Sequence, residues 1–185
     1  MKYLAYTGYQ SGYKAIGNAL IKFRLSSPYS HCEILLEPGD GVEAYVPDGT
    51  LEPDENNAYW CISSTATDII PPWSKKRAGK LGGVRLKRIT INPEKWEIDP
   101  LYHDPEIVMK IFKACEGDVY DYKLILGFLS WPFMLTKQSE RKATCSKFCA
   151  AALGYREPYR FDPADLTMAV RAANHLYYQR TIILK

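Results

Sequence analysis

Two short segments carry the residue types that nucleophilic chemistry needs. The first is Ser30-His31-Cys32-Glu33-Ile34-Leu35-Leu36. Ser26-Ser27-Pro28 stops the stretch before it, and the apolar run predicts a strand over Cys32–Leu36 with His31 at its opening. Side chains alternate along a strand, so His31 and Glu33 share one face and Cys32, Ile34 and Leu36 the other. An imidazole beside a carboxylate is the pairing that orients a base and stabilises its protonated form. The plain alternative is a surface His–Glu pair. The chain has three histidines, and neither His103 nor His175 lies in a comparable setting.

The second segment is Ala143-Thr144-Cys145-Ser146-Lys147-Phe148-Cys149-Ala150-Ala151-Ala152-Leu153. Thr144 suits an N-cap, which puts Cys145 in the first turn of a helix closed by Gly154. Unsatisfied N–H groups and the positive end of the helix dipole favour a thiolate there, and Lys147 pushes the same way. The same N–H groups suit a developing oxyanion. The plain alternative makes Cys145 a small core residue, the role expected of Cys149 one turn further on.

The remaining elements must bring these segments together. A strand is expected over 2–6 and an amphipathic helix over about 11–25, with Tyr13, Ile16, Leu20 and Phe23 on one face. Val42–Val46 reads as a second short strand, and 47–57 as an acidic surface loop. Ala58–Ser63 and Val84–Ile91 read as strands, the latter with one slip in its alternation, as at a bulge, and with Arg85, Lys87 and Arg88 on its polar side. Asp104-Pro105 opens a helix that Gly117 ends, and Asp162-Pro163 opens another. Tyr122–Met134 reads as a buried apolar segment and Tyr177–Leu184 as a closing strand. No repeat or linker divides the chain, so residues 1–185 read as a single α+β domain.

Composition narrows the function classes. A hydrophobic fraction of 46% and a charged fraction of 24% are those of an ordinary globular chain that buries a core without metals or disulfides. The net charge of +3 is scattered, so nucleic acid is not expected as a partner, and the run Lys75-Lys76-Arg77 reads as a solvated loop. The start of the chain lacks a signal-peptide pattern, and Leu124–Leu135 is too short and too interrupted to span a bilayer. A cytoplasmic protein without stable membrane insertion is the expectation. The five cysteines have no paired spacing and read as free thiols. A metal site built from His31, Cys32, Cys145 and Cys149 is disfavoured because Cys32 points away from His31.

Taken together, the segments resemble a known family. "SPYSHCEILL" is similar to the histidine segment, and "ATCSKFCAAALGY" to the nucleophile helix, of the circularly permuted papain-like branch of the NlpC/P60 superfamily, the YiiX/YaeF-like bacterial and phage proteins. "CISSTATD", "GGVRLKRI", "GDVYDYKLILGF" and "YREPYRFDPADL" resemble further pieces of that pattern in the same order. The resemblance implies a permuted papain-like fold, an antiparallel sheet carrying His31 and packed on helices, with His31 and Cys145 meeting across a groove. It implies a thiol hydrolase without cofactor or metal, with Cys145 as nucleophile, His31 as base and Glu33 or Glu43 as the third member. Glu33 is favoured over Glu43, and Asp121 is assigned a structural role. The implied substrate is a peptide or peptidoglycan-type amide. Acyl transfer or lipid hydrolysis, with an acyl pocket along Leu124–Leu135 that includes Trp131 and Phe133, is the alternative, and a non-catalytic binding module another. Lys147 stands where the family has a glutamate and Thr144 where it often has an aromatic residue, a departure that bears on substrate preference.

Overall fold

The computed structural model describes residues 1–9, 19, 22–23, 26–122 and 142–183. The architecture is α+β. Five strands, β1 (Lys2–Tyr6), β2 (His31–Leu35), β3 (Ala58–Ile69), β4 (Leu81–Thr90) and β5 (Trp96–Pro100), form a sheet in the order β4-β3-β2-β1-β5 with every neighbour antiparallel. Three α-helices stand among the described residues: α1 (Pro105–Cys115), α2 (Cys145–Ala152) and α3 (Pro163–Ile183). A short parallel pair, β6 (Val119–Tyr120) and β7 (Lys142–Ala143), leads into α2. No helix among the described residues is long and apolar enough to cross a membrane.

The two faces of the sheet are both covered, and they differ. Tyr3, Ala5, Cys32, Ile34, Trp60, Ile62, Val84 and Leu86 belong to the main core, with Val108, Met109 and Phe112 of α1 and Phe148, Cys149 and Ala150 of α2. Leu4, Leu35 and Cys61 form a smaller cluster on the other face, against which Tyr59, Ile89 and Trp96 pack. This explains the slip in the alternation of β4 without a bulge. Val84 and Leu86 fill the main core, Arg88 then lies over the Trp60 ring at 4.7 Å, and Ile89 turns to the second cluster. The irregularity of the β3–β4 ladder falls further along, between Thr65 and Ile69.

Local chemistry places α2. Gly83, at φ +137°, brings its backbone against Asp118, and Val84 N–H donates to the Asp118 carbonyl at 3.0 Å. That contact ties β4 to β6, and β6 pairs with β7 immediately before Cys145. Ser64 Oγ donates to the Ala143 carbonyl at 2.7 Å, which fixes the same point to β3. Thr144 then caps α2, its Oγ1 accepting from Lys147 N–H at 3.2 Å. Asp104 caps α1 by accepting from Glu106 N–H at 2.9 Å, and Asp162 accepts from the N–H groups of Ala164 and Asp165 at the start of α3.

Several expectations are corrected. Val42–Val46 is not a strand: Glu43–Tyr45 is a single 3₁₀ turn. Val42 and Val46 are both buried, four residues apart, which is helical rather than two-residue spacing. Tyr177–Leu184 is not a closing strand, because α3 runs through to Ile183. No glycine or proline interrupts that run to stop the helix. The fifth strand is Trp96–Pro100, whose Glu97 and Asp99 receive Arg171 of α3 at 2.6 and 3.0 Å. The expected helix over 11–25 and the apolar segment 122–134, with Trp131 and Phe133, lie almost wholly outside the described residues.

Thr144 is fully buried and caps the helix that carries Cys145. Thr144→Ala is expected to lower stability by about 1 kcal/mol, read as a shift in the urea midpoint with unchanged slope.

Candidate active site

His31 occupies the first position of β2, where the sheet ends, and Cys145 the first turn of α2. The imidazole and the thiol lie close enough to act on each other's ionisation, each favouring the charged form of the other. Glu33 is the carboxylate that holds the ring: its Oε1 lies 2.9 Å from His31 Nε2. With the carboxylate ionised, Nε2–H is the donor, which leaves Nδ1 as the nitrogen that accepts a proton. Glu43 sits on the 3₁₀ turn and takes no part in this contact.

The glutamate is itself held by a residue that the sequence pattern groups only with the charged positions of its strand. Arg85 of β4 donates from Nη1 to Glu33 Oε2 at 2.7 Å and from Nη2 to Oε1 at 2.6 Å. Glu33 is 1% exposed and Arg85 2%, so this is a two-pronged ion pair inside the protein. Arg85 also reaches Asp68 Oδ2 at 3.2 Å. The signal that could have found Arg85 is weak: an arginine set between two apolar residues, Val84 and Leu86, that both face the core.

Burial penalises charge on all three groups, and pairing overrides it. Against desolvation, the Arg85 guanidinium and then the His31 hydrogen bond draw the Glu33 carboxyl down to about 2. Arg85 is raised in turn by Glu33 and Asp68. His31 is pushed up to about 10 against its own desolvation, by Cys145 and then by Glu33. The part owed to Cys145 exists only while the sulfur is a thiolate; with the thiol protonated, Glu33 alone supplies the lift.

Cys145 departs from the expectation that the helix terminus holds its pKa down. Its thiol is raised, first by interaction with the Cys32 thiol and then by burial, while His31 pulls it back. Cys32 faces α2, as alternation requires, and that puts it against Cys145; Cys149 Sγ lies 3.9 Å from the Cys32 carbonyl. Burial also raises Cys32, Cys61 and Cys149. Cys32 acts on both Cys145 and Cys149, and of these three Cys145 has an imidazole that favours ionisation. Lys147 Nζ donates to the Lys142 carbonyl at 2.6 Å, and so braces β7. Among the described residues, no cluster of three or more His, Cys, Asp or Glu is arranged to hold a metal ion.

The other histidines stand elsewhere. His103 precedes α1, its buried Nδ1 without a hydrogen-bond partner among the described residues, and His175 on α3 bonds Gln179 at 2.9 Å. Asp121 N–H donates to the Ala143 carbonyl at 3.1 Å, beside β7. No protein-family model matches this chain, and no curated protein matches its sequence.

The ion pair has a pH signature. The depressed Glu33 carboxyl adds stability above its ordinary 4.5, lost as pH falls toward about 2; the raised His31 adds stability below its ordinary 6.5, lost as pH rises toward about 10. The difference in unfolding free energy between the wild type and His31→Ala is therefore expected to be largest between about 4.5 and 6.5 and to shrink on both sides. A difference that grows from pH 7 to 10 would contradict the pairing. Glu33→Ala, which strands a buried guanidinium, is expected to cost about 3–5 kcal/mol in urea unfolding.

Proposed function

We propose that this protein is a cysteine-dependent hydrolase on a circularly permuted papain-like fold, cleaving an amide bond of the peptide or peptidoglycan type. The observation that carries the reading is the coupling of Cys145, in the first turn of α2, to a His31 imidazole whose Nε2 a buried Glu33 holds. A nucleophile, a base and an orienter of that base are the three parts such chemistry requires.

In the proposed cycle the Cys145 S–H proton passes to His31 Nδ1. The thiolate attacks the carbonyl carbon, a C–S bond forms, and the carbonyl π pair moves onto oxygen. Thr144 occupies the Lys147 N–H, so the first-turn N–H groups of Cys145 and Ser146 are the donors assigned to that oxyanion. The intermediate collapses with cleavage of the C–N bond, and His31 returns its proton to the leaving amine. Water then loses a proton to His31, attacks the thioester and expels the thiolate. Transfer of the acyl group to another nucleophile shares the first half of this cycle. Glu33 keeps Nε2–H occupied and Nδ1 aimed at the sulfur throughout.

One observation favours a second reading, a binding module that keeps the fold without turnover. Cys145 is 3% exposed and its thiol is held up by Cys32. The rate of iodoacetamide labelling against pH, site by site by mass spectrometry, separates the two. For the hydrolase, Cys145 labels at pH 7 faster than Cys32, Cys61 and Cys149, and His31→Ala slows it by roughly 10²-fold or more. Cys115, only half-buried, serves as a control whose rate His31 does not influence. Uniformly slow labelling that ignores His31→Ala would favour the binding module. Cys32→Ala removes the leading cause of the raised thiol, and is expected to move the Cys145 titration to lower pH.

A further inference from the structure

Against the Cys145–His31–Glu33 set stands a buried charge that the proposed chemistry does not use, the Arg85 guanidinium. We propose that Arg85 is a positioning residue of this site: it holds Glu33 ionised and fixed in plane beneath the imidazole, and thereby sets the pH at which His31 gives up its proton. The inference rests on the reading of Cys145 and His31 as a reactive pair.

Geometry carries it. The β2–β3 ladder pairs Ile34 with Ile62 and Leu35 with Cys61, and the β3–β4 ladder pairs Ser63 with Arg85. Continuing the first register by one residue sets Glu33 beside Ser63, so Glu33 and Arg85 lie on the same face, two strands apart. The fork closes on both carboxylate oxygens at 2.7 and 2.6 Å, and Oε1 also takes His31 Nε2 at 2.9 Å. A carboxylate gripped at both oxygens cannot rotate about its Cγ–Cδ bond, so the imidazole bound to it is fixed as well. Asp68 grips the guanidinium from the far side at 3.2 Å, and Lys87 stands 3.5 Å from Asp68. A pair needed only to join strands would not bring an imidazole onto the same oxygen.

The electrostatic consequence has a definite sign. His31 and Glu33 together hold either one proton, with the pair neutral, or none, with the pair anionic. The buried charge of Arg85 favours the anionic form, and so tempers the hold of Glu33 on the imidazole proton. The other groups facing the pair are Cys145 and Cys149 of α2, Cys32 of β2, Cys61 and Asp68 of β3 and Lys87 of β4; from β5 the Trp96 ring lies 6.2 Å from that of His31. None of these bonds both oxygens of Glu33.

The test is an imidazole NMR titration of the full chain, with the His31 signals identified by their loss in His31→Ala. In Arg85→Gln the His31 proton is expected to be retained to higher pH, by about one unit or more. Arg85→Lys keeps a charge but not the fork, and is expected to shift the titration the same way by less. Should Arg85→Gln fail to fold, the lysine variant decides alone: a rise sustains the assignment. An unmoved or lowered His31 titration in a folded Arg85 variant overturns it. Cys145 labelling, run in parallel, keeps the two ideas apart. Selective labelling that depends on His31, together with an unmoved titration, overturns the Arg85 assignment alone. Labelling indifferent to His31 overturns the reactive pair on which it rests.

Discussion

The ion pair between Glu33 and Arg85 is the constraint from which the rest of the site follows. Neither charge could stay where it is without the other, since a buried ion lacking its partner is among the costliest single defects a fold can carry. Because the two sit on strands separated by β3, their pairing also fixes how β2 and β4 align across it. The imidazole inherits this rigidity. His31 opens its strand at the end of the sheet, where a side chain would otherwise have rotational freedom, and the shared Oε1 removes it.

Cys145 is located by a separate and more local set of interactions. Ser64 and the β6–β7 pair hold the chain at Ala143, and Thr144 starts the helix one residue later. Cys145 thus stands at a helix terminus that favours its anion, yet in a packed environment, beside Cys32, that disfavours it. His31 is the neighbour that pulls the thiol back toward the thiolate, against the larger effect of Cys32 and burial.

The parts of this arrangement that were legible in the sequence are those encoded within a few residues. Thr144 as cap, Cys145 in the first turn, Asp104-Pro105 and Asp162-Pro163 as helix starts, and His31 and Glu33 on one strand face all follow from nearest-neighbour rules. Glu33 bonds His31 while Glu43 lies on a 3₁₀ turn, which the four-residue spacing of the buried Val42 and Val46 fits. Arg85 was not legible, because its partner lies 52 residues away and strand order is not written locally. The same limit hid the edge strand at Trp96–Pro100, which forms on β1. Tyr177–Leu184 misled because aromatic and β-branched residues favour strands on average, while a helix already running past Ala172 and Ala173 propagates until something stops it.

The most direct test of the central claim is whether Cys145 forms an acyl-enzyme through His31. Incubation with a small activated ester such as p-nitrophenyl acetate, followed by intact and peptide-level mass spectrometry, reads this without knowledge of the natural substrate. The account predicts a single acetyl adduct on Cys145 in the wild type at neutral pH, strongly reduced in His31→Ala and absent in Cys145→Ala. Acetylation spread over other residues, or an adduct on Cys145 that forms equally fast without His31, would contradict it.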